Sequence, residues 1–168
     1  MKRRLNGDET SLISAPRPPA WRGRHHCGIA PEVRPDIATS ADCERLVRAF
    51  YEKAMADDLI GWIFTDVAEL DLEEHIPVIA SFWATILLGA QTYAGGAFGV
   101  HAGLHRKAGG LRKEHFERWL VLWCQTVDEL FDGPLAAAAK VHALRVANAF
   151  HARLQMFPVA DEAAEPSV

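Results

Sequence analysis

Beyond residue 38, apolar residues return at three- and four-residue steps, the period of one face of an α-helix. Thr39 or Ser40 is placed to cap a first helix, with Asp42 and Glu44 in its opening turn, where carboxylates meet unpaired backbone N–H groups. Leu46, Phe50 and Ala54 share its apolar face, and Asp57-Asp58 ends it. Leu59 to Phe64 reads as a short helical turn that packs Trp62 and Phe64. Over residues 71–89, Leu72, His75, Ile76, Ile79, Phe82, Trp83, Ile86 and Leu87 form an apolar arc wide enough for a largely buried helix. Pro77 must lie in the first turn of that helix or kink it, and Gly89 is a stop. Gly95, Gly96 and Gly99 loosen the next stretch, which reads as a short helix over 97–104 before Gly109-Gly110. Residues 112–131 place Phe116, Trp119, Leu120, Trp123, Val127 and Leu130 on one face. Gly133-Pro134 then reads as a stop followed by a start. A last helix over 134–156 has Leu135, Val141, Val146, Phe150 and Leu154 as buried candidates. No stretch alternates with period two for long enough to be a strand. The fold class is therefore all-α, and periodicity alone leaves a bundle and a globin-like packing both open.

The flanks are of different character. Pro16, Pro18, Pro19, Pro31 and Pro35 break any helix in residues 1–36, an Arg-rich stretch that reads as a poorly ordered extension with a short element near Trp21. Residues 37–158 read as the folded domain, and residues 159–168 as a disordered acidic tail. The 168-residue length suits one domain with tails. Apolar content of 49% and a mean hydropathy of −0.03 fit a soluble globular chain.

Charge and cysteine content remove several functions. The net charge is −4 and no basic block occurs, which argues against nucleic-acid binding. The three cysteines, Cys27, Cys43 and Cys124, form no CxxC or CxxCH, so a disulfide framework, a zinc ribbon and covalent haem attachment lose support. His25-His26-Cys27 lacks further ligands for a metal site. The basic start Met1-Lys2-Arg3-Arg4 is not followed by an apolar stretch of signal-peptide length. The longest apolar run, Ile76 to Ala90, is shorter than the roughly 20 residues of a membrane span. A cytoplasmic monomer with reduced thiols, away from membranes, is the expectation.

The chemistry rests on histidines and aromatics. His101 and His105 are four apart, as in helical zinc pairs, but Ala102 stands where a metalloprotease needs its glutamate. A haem site needs one axial histidine, an apolar slot and a few polar groups on the opposite face. His101 lies beside Phe98, Val100 and Leu104. His75 is one turn before Ile79, on what reads as the buried face of its helix. Tyr51 and Trp119 can bring an O–H and an N–H to the interior. By residue type alone each has an ordinary counterpart: a satisfied boundary histidine, a core tyrosine, a core tryptophan. A haem-free helical module that binds metal or another protein therefore stays open at this point.

Three stretches in linear order resemble the truncated haemoglobins, in particular their third group. They are Ala49-Phe50-Tyr51-Glu52-Lys53, then Glu74-His75-Ile76-Pro77 running into Phe82-Trp83 and Leu87-Leu88-Gly89, then Tyr93, Gly95, His101 and Leu104 followed by His115-Phe116-Glu117-Arg118-Trp119-Leu120. The resemblance spans about 38–157. It implies a truncated globin fold, a helical sandwich around haem b, with His101 as the proximal ligand to iron. It implies Tyr51, His75 and Trp119 around a bound ligand, Ile79 on the distal wall and Phe64 against the ring. Phe82, Trp83, Phe98 and Leu104 become further wall residues. Reversible binding of O2 and other diatomic ligands follows as an expectation. NO-dioxygenase or peroxidase-like activity would additionally need an electron donor. Two features depart from the family: Trp62 stands where a small residue or proline is common, and Arg106 to Gly110 enlarge the loop after His101. Arg106 and Lys107 are candidates to meet haem propionates there.

Overall fold

The computed structural model describes residues 33–157 and Val159. The proposed element near Trp21, the His25-His26-Cys27 cluster and nearly all of the acidic tail lie outside the described residues. Five α-helices follow one another: α1 (Ser40–Met55), α2 (Leu72–Leu88), α3 (Ala97–Lys107), α4 (Lys113–Leu130) and α5 (Pro134–Leu154), with a short π-helical segment, Ile63–Val67, between α1 and α2. The described residues contain no strand, and none of their helices is long and apolar enough to cross a membrane.

Helix α1 begins where the capping signal stands. The Asp42 N–H donates to Thr39 Oγ1 at 3.2 Å and the Thr39 N–H to Asp42 Oδ2 at 2.9 Å, a reciprocal capping box. Its buried face, Cys43, Leu46, Val47, Phe50 and Ala54, packs against α2 and α4. Asp71 caps α2 by accepting from the Glu73 and Glu74 N–H groups, and Gly89 ends it in the left-handed region at φ 70°. Pro77 does not lie in the first turn: it is the sixth residue of α2, in the second turn, on the exposed side.

The apolar arc of α2 divides between two surroundings. Ile76, Ala80, Trp83, Ala84 and Leu87 are buried in the core, whereas Ile79 and Phe82 are only half-buried. In the core, Trp83 stacks on Trp123 of α4 at 4.2 Å between ring centroids and 20° between planes. Trp123 in turn lies parallel to Trp119, at 5.8 Å and 6°. The three indoles form one column running from α2 along α4.

Helix α5 packs on α4, and most of its buried residues are small: Ala136, Ala139, Ala143 and Ala147. Of the buried candidates named from the sequence, Leu154 is buried, Leu135, Val146 and Phe150 are half-buried, and Val141 is 46% exposed. The alanines leave room for Trp123, whose Nε1–H donates to the Ala139 carbonyl at 3.4 Å. The turn expected over Leu59–Phe64 is displaced toward the π-helical segment. Trp62 sits half-buried beside it, edge-on to His115 at 6.0 Å.

Candidate functional site

Between α2, α3 and α5 lies a cavity of about 640 Å³, within the ~300–1,000 Å³ range of small-molecule sites. Its wall is mostly apolar. Phe64, Ile79, Phe82, Trp83, Leu104, Val146 and Phe150 supply the bulk, and Tyr51, His75, Tyr93, His101, Lys107 and Trp119 are polar side chains named by sequence that reach it. A smaller annex of about 80 Å³ continues inward, past Ile60, Ile63, Leu111 and Phe116, and shares Tyr51, Phe64, His101 and Trp119 with the main cavity.

His101 and His105 are separated by their hydrogen bonds. His101 Nδ1 lies 2.8 Å from the Ala97 carbonyl oxygen, so Nδ1 carries the proton and donates. This leaves Nε2 with its lone pair, on a ring that lines the cavity. Burial lowers the pKa of His101, the Ala97 bond pulling the other way, and the ring is held neutral. His105 is 5% exposed and has both nitrogens engaged. Nδ1 accepts from the Leu111 N–H at 3.0 Å, and Nε2 must then donate to the Phe157 carbonyl at 3.2 Å. Only His101 of this pair retains a free ligand atom. Among the described residues, no three His, Cys, Asp or Glu side chains are gathered to hold a bare metal ion.

Tyr51 and Trp119 come to the cavity from α1 and α4. Tyr51 stands edge-on to Phe50 at 5.1 Å and to Phe64 at 5.5 Å, which fixes its ring. Burial pushes its phenol pKa above the usual tyrosine range, so the hydroxyl stays protonated and able to donate. Trp119 is held by its column of indoles and by Phe50 at 5.5 Å.

Two sequence-named residues are placed differently from their expectation. His75 borders the cavity, but its side chain is exposed rather than on a buried helix face; its Nδ1 lies 2.9 Å from the Asp71 carbonyl. Phe98 is absent from the cavity lining. It packs behind α3, against Phe150 at 5.6 Å and under the Arg153 guanidinium at 3.8 Å. Lys107 lines the cavity, while Arg106 is exposed and does not.

Sequence reasoning did not assign Val146 and Phe150 to the wall. Phe150 meets the His101 ring edge-on at 4.8 Å. The signal was their four-residue spacing on a helix whose other face is alanine: α5 has two apolar faces, a small one for α4 and a large one for the cavity.

A neutral imidazole with a free Nε2, an apolar slot and two fixed donors form a set of groups suited to a planar iron cofactor. No family model matches the chain. A group 3 truncated haemoglobin of Campylobacter jejuni is 28% identical over 116 residues, covering 67% of this chain and 88% of that protein. The crystal structure of a group III truncated haemoglobin from Campylobacter jejuni superposes with a TM-score of 0.63 at 26% identity, covering 73% of this chain and 95% of that one. In sequence and in fold, the chain is similar to a group III truncated haemoglobin.

Proposed function

We propose that the chain binds haem b in the cavity, with His101 Nε2 as the proximal ligand to iron and Tyr51, Trp119 and His75 around a bound diatomic ligand. The carrying observation is the state of His101: Nδ1 is tied to the Ala97 carbonyl and Nε2 is left unprotonated on a ring that lines a cavity of about 640 Å³. When bound, the haem supplies an iron centre that takes O2 or other diatomic ligands.

The protein's part is positioning and polarity. The Nδ1–H···O=C bond fixes the ring and raises its basicity toward a metal. Phe64, Ile79, Phe82, Trp83 and Leu104 make the wall apolar, so donors in the cavity meet less competition from solvent than donors at the surface. Tyr51 Oη–H and Trp119 Nε1–H are the donors that meet negative charge on a ligand. His75, exposed at the cavity border, is suited to a gate rather than to a fixed donor. NO-dioxygenase or peroxidase-like turnover would draw on the same groups with an external electron donor.

The visible spectrum of the purified chain tests this reading. A Soret band is expected, lost in His101→Ala and still formed in His105→Ala. Full haem content in His101→Ala overturns the ligand assignment.

A further inference from the structure

We infer that His105 is a positioning residue for His101, fastening the helix that carries it to the α3–α4 loop and to the chain beyond α5. The inference rests on the haem reading above.

Helix α3 is held mainly on one side, by Phe98 and His101 against Phe150 of α5. Glycines at positive φ bracket it on both sides, Gly95 and Gly96 before it and Gly109 and Gly110 after it. These are conformations in which a chain swivels at low cost. Within the helix, Gly99 and Gly103 have nothing within 4 Å of where a Cβ would stand, so these positions do not pack. Among the described helical elements, α3 packs against only α5 and the π-helical segment. Its single buried residue is His105.

The two hydrogen bonds of His105 reach different parts of the chain. Nδ1 accepts from Leu111, six residues on, and Nε2 donates to Phe157, 52 residues on. The Leu111 N–H is an obligate donor, so the tautomer is fixed and both bonds are made at once. The segment carrying the Phe157 carbonyl also packs the Phe157 ring near Phe98, at 6.3 Å, and sets Val159 3.9 Å from where a Cβ of Gly110 would be. Three pieces of chain thus meet at one imidazole. His101 is one helical turn away on the same face, so the rotation of α3 about its axis decides where Nε2 points. Loss of the clamp frees α3 on its flanking glycines and lets that direction drift.

The test uses the full-length chain loaded with haem. His105→Leu removes both hydrogen bonds. His105→Gln can restore both, its amide oxygen accepting from Leu111 and its NH2 donating to Phe157. Three readouts apply: transfer of ferric haem to apomyoglobin, the ferrous iron–histidine stretching band by resonance Raman, and amide exchange at Leu111 and across α3. In His105→Leu, haem transfer is expected to speed up by about tenfold or more, the lower end of what outer-shell partners of metal ligands cost. The band should shift or broaden, and exchange at Leu111 and α3 should rise; His105→Gln should stay close to the parent. Parent-like transfer, band and exchange in His105→Leu overturn the inference, as does a His105→Gln chain as impaired as His105→Leu. Should His105→Leu fail to fold, a chain ending at Gln155, which lacks the Phe157 carbonyl, must show the same faster transfer; an unchanged rate overturns the inference. A parent chain with no iron–histidine band removes the haem reading and the role toward iron with it, while exchange at Leu111 still reports separately on the clamp.

Discussion

Asp36 lies so close to Gly133 that a Cβ on residue 133 would stand 2.5 Å from the Asp36 Cγ. The closeness has a purpose: Asp36 Oδ2 accepts from the Leu135 N–H at 2.9 Å and Oδ1 from the Ala136 N–H at 2.8 Å, so a residue about 100 positions away caps α5. Burial alone would raise the Asp36 pKa, but the N–H donors of Leu135, Ala136 and Ile37 outweigh it and leave the carboxyl below its usual range. Gly133 also has φ 147°, which L side chains rarely adopt. Gly133→Ala is expected to destabilise the chain by about 2 kcal/mol or more, and Asp36→Ala by about 1–2 kcal/mol. Urea unfolding measures both, and because the two residues share one contact, the double substitution should cost less than the sum.

Asp57 and Arg118 join the end of α1 to α4, with Oδ2 at 2.8 Å from Nε and 2.7 Å from Nη2. The guanidinium is the main reason the Asp57 pKa is lowered, helped by the Leu59 and Ile60 N–H groups. A carboxyl whose folded pKa is depressed stabilises the fold fully above its unfolded value, about 3.9. That contribution is lost as pH falls through the lower folded value. The parent should therefore lose stability below about pH 4 more steeply than Asp57→Asn. Equal slopes for the two proteins in a series of urea melts would remove the pair from the acid response.

The alanine line on α5 is a close-packing device. Ala139 is fully buried, and its carbonyl receives the Trp123 N–H. Ala139→Leu is expected to cost about 1–3 kcal/mol by overpacking and to shift Trp123 fluorescence. Ala137→Leu, on the exposed side of the same helix, should cost little.

For the proposed distal side, Tyr51→Phe deletes the hydroxyl and leaves the ring in its edge-on contacts with Phe50 and Phe64. Oxygen dissociation measured by stopped flow is expected to quicken by roughly tenfold, the equivalent of one hydrogen bond of about 1.4 kcal/mol. An unchanged rate would take Tyr51 off the list of donors.

The helices were legible because apolar periodicity and caps are local: Thr39 with Asp42 and the Gly133-Pro134 boundary each need only neighbouring residues. Part of the cavity wall was legible through the family resemblance: Tyr51, Phe64, His75, Ile79, Phe82, Trp83, His101, Leu104 and Trp119 all line it. What escaped depends on distance in sequence or on size. The capping role of Asp36 lies on the far side of the boundary drawn at residue 37, because its partners are N–H groups about 100 residues away. The partner of His105 is a backbone carbonyl, which every residue at position 157 would offer. The α5 contact face escaped because alanine is weakly hydrophobic, and the larger Val141 on another face outweighed it. Phe98 was misplaced for a related reason: on a helix rich in glycine, neighbours in sequence do not tell which side faces the cavity.

The column of Trp83, Trp123 and Trp119 gives the fold and the cavity a shared dependence. Its middle ring, Trp123, is 1% exposed; at one end Trp83, 2% exposed, lines the main cavity, and at the other Trp119 lines both the main cavity and the annex. Natural drift at Trp83 or Trp123 would thus be judged twice, once by whether the chain stays folded and once by how the third indole meets a guest. Lineages that retune this cavity have an easier route through Tyr51 or Ile79, whose replacement leaves the column standing.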